Sequence, residues 1–378
     1  LRKAEETAPD YCFPNKLEDI AVLETAIAEN PEGAKAYYYL GCLCYDKLQF
    51  EKAAELWEKS IRLDDGYPTV HRNLALAYYN KQNDPERAKQ ELEKAFALDE
   101  TDARVLLELD QLYKKLGMPF EKRLELYESH KDIITERDDV MLEYVTLYNL
   151  AGKPEKAYEI IMSHSFRPWE GAEGRISGQY KIALLEMAKK DIAAGAYSEA
   201  EEKLEKALVY PENLGEGKLE GTKDNNLYYY LGLVKEALGK EGAEECFHLA
   251  ELGDNEPAGA MYYYDQPADM ILYKGLAKQK LGKTKEAHAC FNKLMDYGER
   301  HLNDVVKNDF FAVSLPDFLI FEDDMDKRNK AHCYYLMGLA NLGMGQKEKA
   351  VEEFDKALEY DFNHQNCRIY KELAKGEL

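Results

Sequence analysis

Apolar residues recur at helical spacing along almost the whole chain. Leu40, Leu43 and Cys44 lie at positions i, i+3 and i+4, and Ala53 and Trp57 begin the same pattern again after a polar stretch. This spacing places the apolar side chains on one face of an α-helix, whose period is about 3.6 residues. The pattern therefore predicts pairs of amphipathic helices joined by short polar turns, and it predicts no strands.

A five-residue motif marks the recurrence of the helix pair. Tyr-Tyr-Tyr-Leu-Gly occupies residues 37–41 and again residues 228–232, and residues 334–338 read Tyr-Tyr-Leu-Met-Gly. Each copy is followed 11 or 12 residues later by an alanine, and an aromatic residue stands four positions beyond that alanine. These pairs are Ala53 and Trp57, Ala243 and Phe247, and Ala350 and Phe354. The chain is therefore built on a repeat of about 34 residues.

Small residues recur where the two helices of each pair should cross. Gly41, Gly232 and Gly338 lie inside predicted helices, where glycine is about 0.5–1 kcal/mol less favourable than alanine. We expect the missing Cβ to let the neighbouring helix approach closely. On the second helix the matching position holds an alanine, namely Ala53, Ala88, Ala157, Ala200, Ala243, Ala287 and Ala350.

The order of these residues resembles the tetratricopeptide repeat, with an aromatic residue, Leu-Gly, Ala, a large apolar residue and a second Ala. Eight copies are anchored on Leu40, Leu74, Leu109, Tyr144, Met187, Leu231, Lys274 and Met337. The resemblance implies an all-α fold, a right-handed superhelical solenoid of helix-turn-helix repeats. Two copies depart from the pattern, because Arg123 stands near the small-residue position of the third and Lys274 replaces the leucine of the seventh. We expect the Lys274 helix to be shifted, or to be shielded by an insertion.

The distances between anchors predict the domain organisation. Residues 1–30 form a truncated leading half-repeat, 31–164 four regular repeats, 165–178 an insert with Gly, Pro and Trp, 179–361 four repeats with inserted loops, and 362–378 a capping helix. The insert at 165–178 is predicted to be either a hinge or a packed loop. Because the chain begins with Leu1, we expect it to be a segment of a longer protein.

The inserted stretches resemble a bacterial family of large proteins of unassigned function. They are residues 167–174, 213–218, 311–317 and 328–333. In that family a tetratricopeptide array follows an N-terminal domain similar to a mutarotase-like β-sandwich. The resemblance therefore implies a carbohydrate-related setting, with the N-terminal domain and a carbohydrate as partners.

Charge narrows the classes of partner. The chain has 50 Lys and Arg against 72 Asp and Glu, a formal net charge of −22. Nucleic acids and anionic membrane surfaces bind clustered cations, which the sequence lacks, so neither is an expected partner. No apolar stretch is long enough to span a membrane. Seven cysteines without a Cys-x-x-Cys motif indicate reduced thiols and a cytoplasmic location.

The concave groove predicted for the solenoid supplies the first candidate binding residues, Tyr38, Arg72, Tyr229 and Tyr335. Consecutive residues point about 100° apart around a helix, so the three tyrosines of a triplet cannot all face the core. We expect the first tyrosine of each motif to be the core residue, namely Tyr37, Tyr228 and Tyr334. The alternative for the middle tyrosines is packing between crowded helices.

The inserted loops supply the second candidates, because we expect the loops to stack as a ridge on one side of the array. These candidates are Trp169, Glu170, Glu173, Glu216, Lys218 and Asp317. The loops that carry Glu173 and Glu216 lie one repeat apart and should be neighbours in space. Their carboxylates could hold a sugar or act as acid and base. Alternatively they cap the start of a helix, which is the commoner role of acids in glycine-rich loops.

No motif predicts a catalytic site, a metal site or a cofactor. A clamp for a C-terminal carboxylate needs Lys, Asn or Arg at five positions, of which only Asn73 and Arg104 fit, since the others read Tyr38, Cys42 and Glu108. We therefore predict a scaffold without enzymatic activity that binds a peptide, a protein or a companion domain through the groove and the loops. The alternative is an accessory part of a carbohydrate-active enzyme, whose loops complete a sugar site with the N-terminal domain.

Overall fold

The computed structural model describes residues 2–9, 12–167, 172–259, 266–306 and 320–376. Within these ranges every regular element is a helix, which confirms the all-α prediction. The first ten helices are α1 (Arg2–Glu6), α2 (Leu17–Glu29), α3 (Ala34–Asp46), α4 (Phe50–Leu63), α5 (Pro68–Asn80), α6 (Pro85–Leu98), α7 (Ala103–Lys115), α8 (Phe120–Ser129), α9 (Lys131–Ile134) and α10 (Asp138–Leu150). The others are α11 (Pro154–Ser163), α12 (Arg175–Ala193), α13 (Tyr197–Ala207), α14 (Asn225–Leu238), α15 (Ala243–Ala250), α16 (Asp269–Lys280), α17 (Thr284–His301), α18 (Met325–Gly343), α19 (Lys347–Tyr360) and α20 (Gln365–Lys375).

Eight helix pairs carry the eight predicted repeat anchors. They are α3–α4, α5–α6, α7–α8, α10–α11, α12–α13, α14–α15, α16–α17 and α18–α19. Local chemistry sets their ends. At the start of α6, the Asp84 carboxylate accepts a hydrogen bond from the Arg87 N–H at 3.1 Å, and Pro68 occupies the first turn of α5, where no N–H partner is needed.

The chain forms two compact units. Unit 1 comprises Leu1–Leu116, Ser129–Val140 and Leu319–Glu322, and unit 2 comprises Gly117–Glu128, Met141–Phe318 and Asp323–Leu378. The division falls in the third repeat, whose first helix, α7, belongs to unit 1 while nearly all of α8 belongs to unit 2. This is the repeat with the weakest pattern. The insert at 165–178 lies within unit 2.

Each mid-helix glycine lies against the aromatic residue of the second helix in its repeat. A Cβ added to Gly41 would lie 2.5 Å from Trp57 Cδ1, and one added to Gly232 would lie 2.4 Å from Phe247 Cε1. Gly338 has the same relation to its own aromatic partner. The predicted close approach is confirmed, because the aromatic ring occupies the space that a side chain at the glycine would need.

Most alanine anchors lie where the helices cross. Six are completely buried, namely Ala53, Ala88, Ala157, Ala200, Ala287 and Ala350. Ala243 is only half-buried, so the prediction is wrong at this position. The reason is that α15 begins at Ala243 and has only 8 residues, which leaves the alanine at the open end of the helix.

The two departures from the repeat pattern are buried charges in unit 2. Arg123 is fully buried, and its Nη1 donates to Asn363 Oδ1 at 3.0 Å while Nη2 lies 3.5 Å from Glu143 Oε2. Lys274 is 7% exposed and its Nζ donates to the Gly253 carbonyl. Burial lowers the pKa of Lys274. The loop after α15 therefore covers this lysine, as expected for a helix shielded by an insertion.

Candidate functional site

The first helices of successive repeats in unit 1 are α3, α5 and α7, and we call the surface they share the first-helix face. Side-chain contacts show that these helices are neighbours. Asn73 Nδ2 on α5 lies 3.7 Å from Cys42 Sγ on α3. On the other side of α5, Arg72 binds Glu108 of α7. Of the predicted groove residues, Tyr38 and Arg72 belong to unit 1, whereas Tyr229 and Tyr335 belong to unit 2.

A buried carboxylate holds two arginines on this face. Glu108 is completely buried. Arg72 donates from Nε to Glu108 Oε2 at 2.5 Å and from Nη2 to Oε1 at 2.7 Å. Arg104 adds a bond from its Nε to Oε1 at 2.9 Å. Such paired, charge-assisted bonds are the strong ones in proteins. Arg104, one of the two residues that fit a carboxylate clamp, is therefore paired with a carboxylate of its own helix.

The orientation expected for the tyrosine triplets is wrong by one helical position. Tyr38 and Tyr335, expected on the groove, are 6% and 4% exposed, whereas Tyr37 and Tyr334, expected in the core, are half-buried. Tyr38 packs edge-on against Tyr67, with 5.0 Å between ring centroids, and burial raises its pKa. The alternative of packing between helices is therefore the one observed for these two residues.

The third triplet is intermediate. Tyr228 and Tyr229 are both half-buried and pack against the cluster that contains Phe247. Burial raises the pKa of Tyr229 to about 12. The ring of Tyr229 lies 5.7 Å from that of Tyr273, so this tyrosine mainly fills space beside α16.

A short extended segment of the chain itself lies against unit 1. Asn80, the last residue of α5, donates from Nδ2 to the Ile320 carbonyl at 2.8 Å and accepts at Oδ1 from the Glu322 N–H at 2.8 Å. Phe321, between them, is 1% exposed and meets the Tyr79 ring edge-on at 5.1 Å. One side-chain amide thus pairs with the main chain on both sides of a buried aromatic residue.

The same contact includes a charge pair. Lys81 Nζ donates to Glu322 Oε1, and this bond raises the pKa of Lys81. The lysine also lies over the Phe50 ring, 4.8 Å from its centroid. The two charged side chains are 29% and 62% exposed. Such an exposed pair contributes little to stability, so we expect it to orient the segment more than to hold it.

Sequence reasoning missed Asn80, Tyr79 and Phe321. An asparagine at a helix end normally satisfies backbone groups of its own helix, so nothing marks Asn80 as a contact to residues 240 positions away. One signal was available. The position six residues after the repeat anchor holds an asparagine in this repeat alone, the eight residues being Asp46, Asn80, Lys115, Leu150, Ala193, Ala237, Lys280 and Gly343.

Two first helices of unit 2, α16 and α18, pack a tyrosine each against Tyr370 of the last helix, α20. Tyr273 and Tyr370 are 1% and 4% exposed. The Tyr370 hydroxyl donates to Asp269 Oδ2 at 2.8 Å, and burial raises the pKa of Asp269. Tyr335 joins this cluster through Tyr370, with 6.1 Å between ring centroids. These side chains form an interior.

The inserted loops at Glu173 and Glu216 are neighbours, as predicted. Glu216 accepts a hydrogen bond at Oε2 from the Gly174 N–H at 2.8 Å and another at Oε1 from the Ser177 N–H at 3.0 Å. Both amides belong to the start of α12, which has no side-chain cap of its own. Glu216 therefore caps a helix from a neighbouring loop, and this is the commoner of its two predicted roles.

Of the other ridge candidates, one is fixed by contacts within the chain, one is exposed, and three lie outside the described residues. Lys218 Nζ donates to the Leu208 carbonyl and lies 2.6 Å from Asp224 Oδ2, which fixes its loop. Glu173 is exposed. Trp169, Glu170 and Asp317 lie outside the described residues. On either side of the undescribed part of the 165–178 insert, Phe166 and Ala172 are each 5% exposed, so these flanks are packed.

Several absences hold for the part of the chain that the structure describes. There, no group of three or more His, Cys, Asp and Glu side chains has an arrangement that could hold a metal ion. In the same ranges, no helix combines the length and apolar composition that a membrane span requires. All seven cysteines are free thiols.

Comparison with known proteins identifies the repeats. Family models described as tetratricopeptide repeat match residues 34–67, 72–102 and 331–364. These are the first, second and eighth repeats, so the chain carries tetratricopeptide repeats as the sequence pattern predicts.

The chain is similar to several solved structures. The chain is similar to a tetratricopeptide repeat protein from Parabacteroides merdae, with 15% identity over 93% of this chain and 98% of that one and a TM-score of 0.40. It is similar to YrrB, a TPR protein with an unusual peptide-binding site, at 17% identity over 51% and 93% of the two chains, with a TM-score of 0.36. For MamA the identity is 20%, the coverage 45% and 88%, and the TM-score 0.33.

Proposed function

We propose that this chain is a protein-interaction scaffold that binds an extended peptide segment on the first-helix face of unit 1. The observation that carries the proposal is the contact of Asn80 with residues 320–322. An amide that both donates to and accepts from a main chain recognises an extended backbone regardless of its side chains, and an adjacent pocket for an aromatic side chain supplies selectivity. The role is one of binding, with no reaction assigned to the face.

Charge on the face supports a peptide ligand over other polymers. Lys81 and the Arg72–Arg104 pair are cations on a chain of net charge −22. Glu108 offsets one of the two arginines, so the local excess of positive charge is small and suits an acidic side chain. A nucleic-acid backbone needs a longer row of cations.

Two finer hypotheses remain predictions. One is that the inserted loops form a ridge that binds a companion N-terminal domain. The other is that the chain is an accessory part of a carbohydrate-active enzyme. Glu216 uses both carboxylate oxygens to cap α12, so neither hypothesis gains from it. The remaining candidates are Trp169, Glu170, Glu173, Lys218 and Asp317.

Peptide display on the intact chain tests the proposed function. A random peptide library is selected against the wild-type chain, and each enriched peptide is then measured against Asn80→Ala. We expect binding to weaken at least tenfold, about 1.4 kcal/mol, while circular dichroism shows that the variant keeps its helices. Asn15→Ala is the control, because Asn15 is an exposed asparagine of the same unit. Peptides that bind Asn80→Ala as well as the wild type would place the binding site elsewhere.

A further inference from the structure

We propose that residues Ile320–Glu322 are an internal ligand of the first-helix face of unit 1, and that an external partner binds by displacing them. The proposal rests on the proposed function. It also names the chemistry recognised, which is an extended segment with an aromatic residue followed directly by an acidic one. In this chain Phe321 and Glu322 supply that pair.

Each residue of unit 1 in this contact binds a different feature of the segment. Asn80 reads the main chain through its two 2.8 Å bonds. Tyr79 reads the aromatic ring, and the near-complete burial of Phe321 shows that the ring is enclosed. Lys81 reads the following carboxylate. Three consecutive residues of α5 and its C-terminus thus meet three consecutive residues of the segment.

The contact lies on a short stretch of a long connection. Of the described residues between α17 and α18, 320–322 belong to unit 1, whereas 302–306, 323 and 324 belong to unit 2. The repeats themselves do not require such a contact, because the step from α5 to α6 needs only four residues between helix ends. A three-residue segment that lies outside the helix pairs of unit 1 and buries a phenylalanine in that unit is held as a ligand would be.

An external partner would compete with this segment. A ligand on the same chain competes without the loss of translational freedom that a separate molecule suffers, so it has a high effective concentration at the face. The contacts described for Ile320–Glu322 include two main-chain bonds, the buried Phe321 ring and one exposed ion pair. A partner that repeats them and adds contacts along α3 and α7 can therefore take their place.

The test uses a fluorescent peptide with the sequence of residues 318–324, Phe-Leu-Ile-Phe-Glu-Asp-Asp. Its binding to the full chain is followed by fluorescence anisotropy. We expect Phe321→Ala, which removes the internal anchor, to bind the probe at least tenfold more tightly than the wild type. Val305→Ala is the matched control, because Val305 lies in the same connection and is 78% exposed. Adding Asn80→Ala to Phe321→Ala should cancel the gain.

A second variant guards against misfolding. Glu322→Pro removes the N–H that donates to Asn80 Oδ1 and the carboxylate that pairs with Lys81, and it leaves Phe321 in place. It should therefore also increase probe binding. Probes that carry Phe321→Ala or Glu322→Lys should bind Phe321→Ala chains more weakly than the parent probe does.

The outcomes separate the two proposals. If the probe binds the wild type and both release variants equally and Asn80→Ala abolishes this binding, the face binds peptides but internal competition is wrong. If the probe binds neither release variant while peptides selected by display still do, the aromatic–acidic chemistry is wrong. If the probe binds Phe321→Ala and Asn80→Ala adds no effect, both proposals fail at this face.

Discussion

The first helices of the repeats differ between the two units in the side chains they carry, although the helix pairs follow the same repeat pattern. In unit 1, α3 carries the buried Tyr38, but α5 and α7 carry Arg72 and Glu108. Asn80 of α5 holds the main chain of an extended segment. In unit 2 they carry tyrosines that pack on one another, with Tyr273 and Tyr335 at 1% and 4% exposed. The helix pairs are built alike, with glycine against an aromatic ring in both units.

The difference shows which positions of the repeat are free to vary. Glycine and alanine at the crossing points are fixed by the distance between helices, because a larger side chain there would not fit. The positions one turn away have no such restriction. Filled with tyrosine they close into an interior, and filled with Asn, Arg and Glu they leave groups that can recognise a ligand.

Truncation of Tyr335 should have the largest effect, because it tests whether the tyrosines of unit 2 form a core. Tyr335→Ala should lower the free energy of unfolding by about 3–5 kcal/mol, the range for a large aromatic residue in a core. Tyr334→Ala is the control from the same motif, since Tyr334 is half-buried, and its loss should be about 1 kcal/mol. Urea unfolding followed by circular dichroism gives both values. Equal losses would mean that Tyr335 is no more a core residue than Tyr334.

Removal of the Glu108 carboxylate tests the polar cluster on the first-helix face of unit 1. Glu108→Ala leaves Arg72, with a side chain 15% exposed, without its partner. We expect a loss of about 3 kcal/mol, at the lower end for a broken buried pair because Arg72 retains some solvent. Glu55→Ala, at an exposed position of α4, should change stability by less than about 0.5 kcal/mol. A similarly small effect of Glu108→Ala would show that the arginines do not depend on it.

Protonation of the buried His332 tests how strongly the interior of unit 2 excludes a charge. His332 Nε2–H donates to the Ala258 carbonyl at 2.9 Å, and burial lowers its pKa to about 4. An unfolded histidine has a pKa of about 6.5, so as the pH falls the unfolded chain takes up this proton first. The free energy of unfolding should therefore decrease between about pH 6.5 and pH 4, by at most about 3 kcal/mol.

The measurement is the difference between wild type and His332→Gln in urea unfolding across this pH range, because carboxylates contribute to both proteins alike. His248→Gln, at a side chain 50% exposed, is the control. A difference that stays constant with pH would show that His332 is protonated as easily in the folded state.

A pair of alanine substitutions gives the smallest expected effect. Ala200 is completely buried and Ala243 is half-buried. Ala200→Leu should cost about 1–3 kcal/mol through overpacking, whereas Ala243→Leu should change stability by less than about 0.5 kcal/mol. Thermal unfolding of the two variants checks this. Equal melting temperatures would mean that crossing points in unit 2 tolerate bulk.

Part of the candidate site could be predicted from sequence. The repeat frame places Arg72, Asn73, Arg104 and Glu108 on one face, and the residue types alone indicate that no carboxylate clamp forms. The rotation of the tyrosine triplets was not predictable, because two residues about 100° apart can exchange core and surface when a helix rolls slightly. The role of Glu216 was predictable only as one of two alternatives, since the same carboxylate suits a sugar or a helix end.

The helices, their pairing and most of their crossing points follow from the amino-acid pattern. Local periodicity and side-chain size recur at positions about 34 residues apart, and a single sequence displays both directly. Long-range packing instead specifies that Asn80 holds the main chain of Ile320–Glu322, that Glu216 caps α12, and that the tyrosines of unit 2 form an interior. Each of these depends on which distant residues meet, and a contact between residues 240 positions apart leaves no period in the sequence.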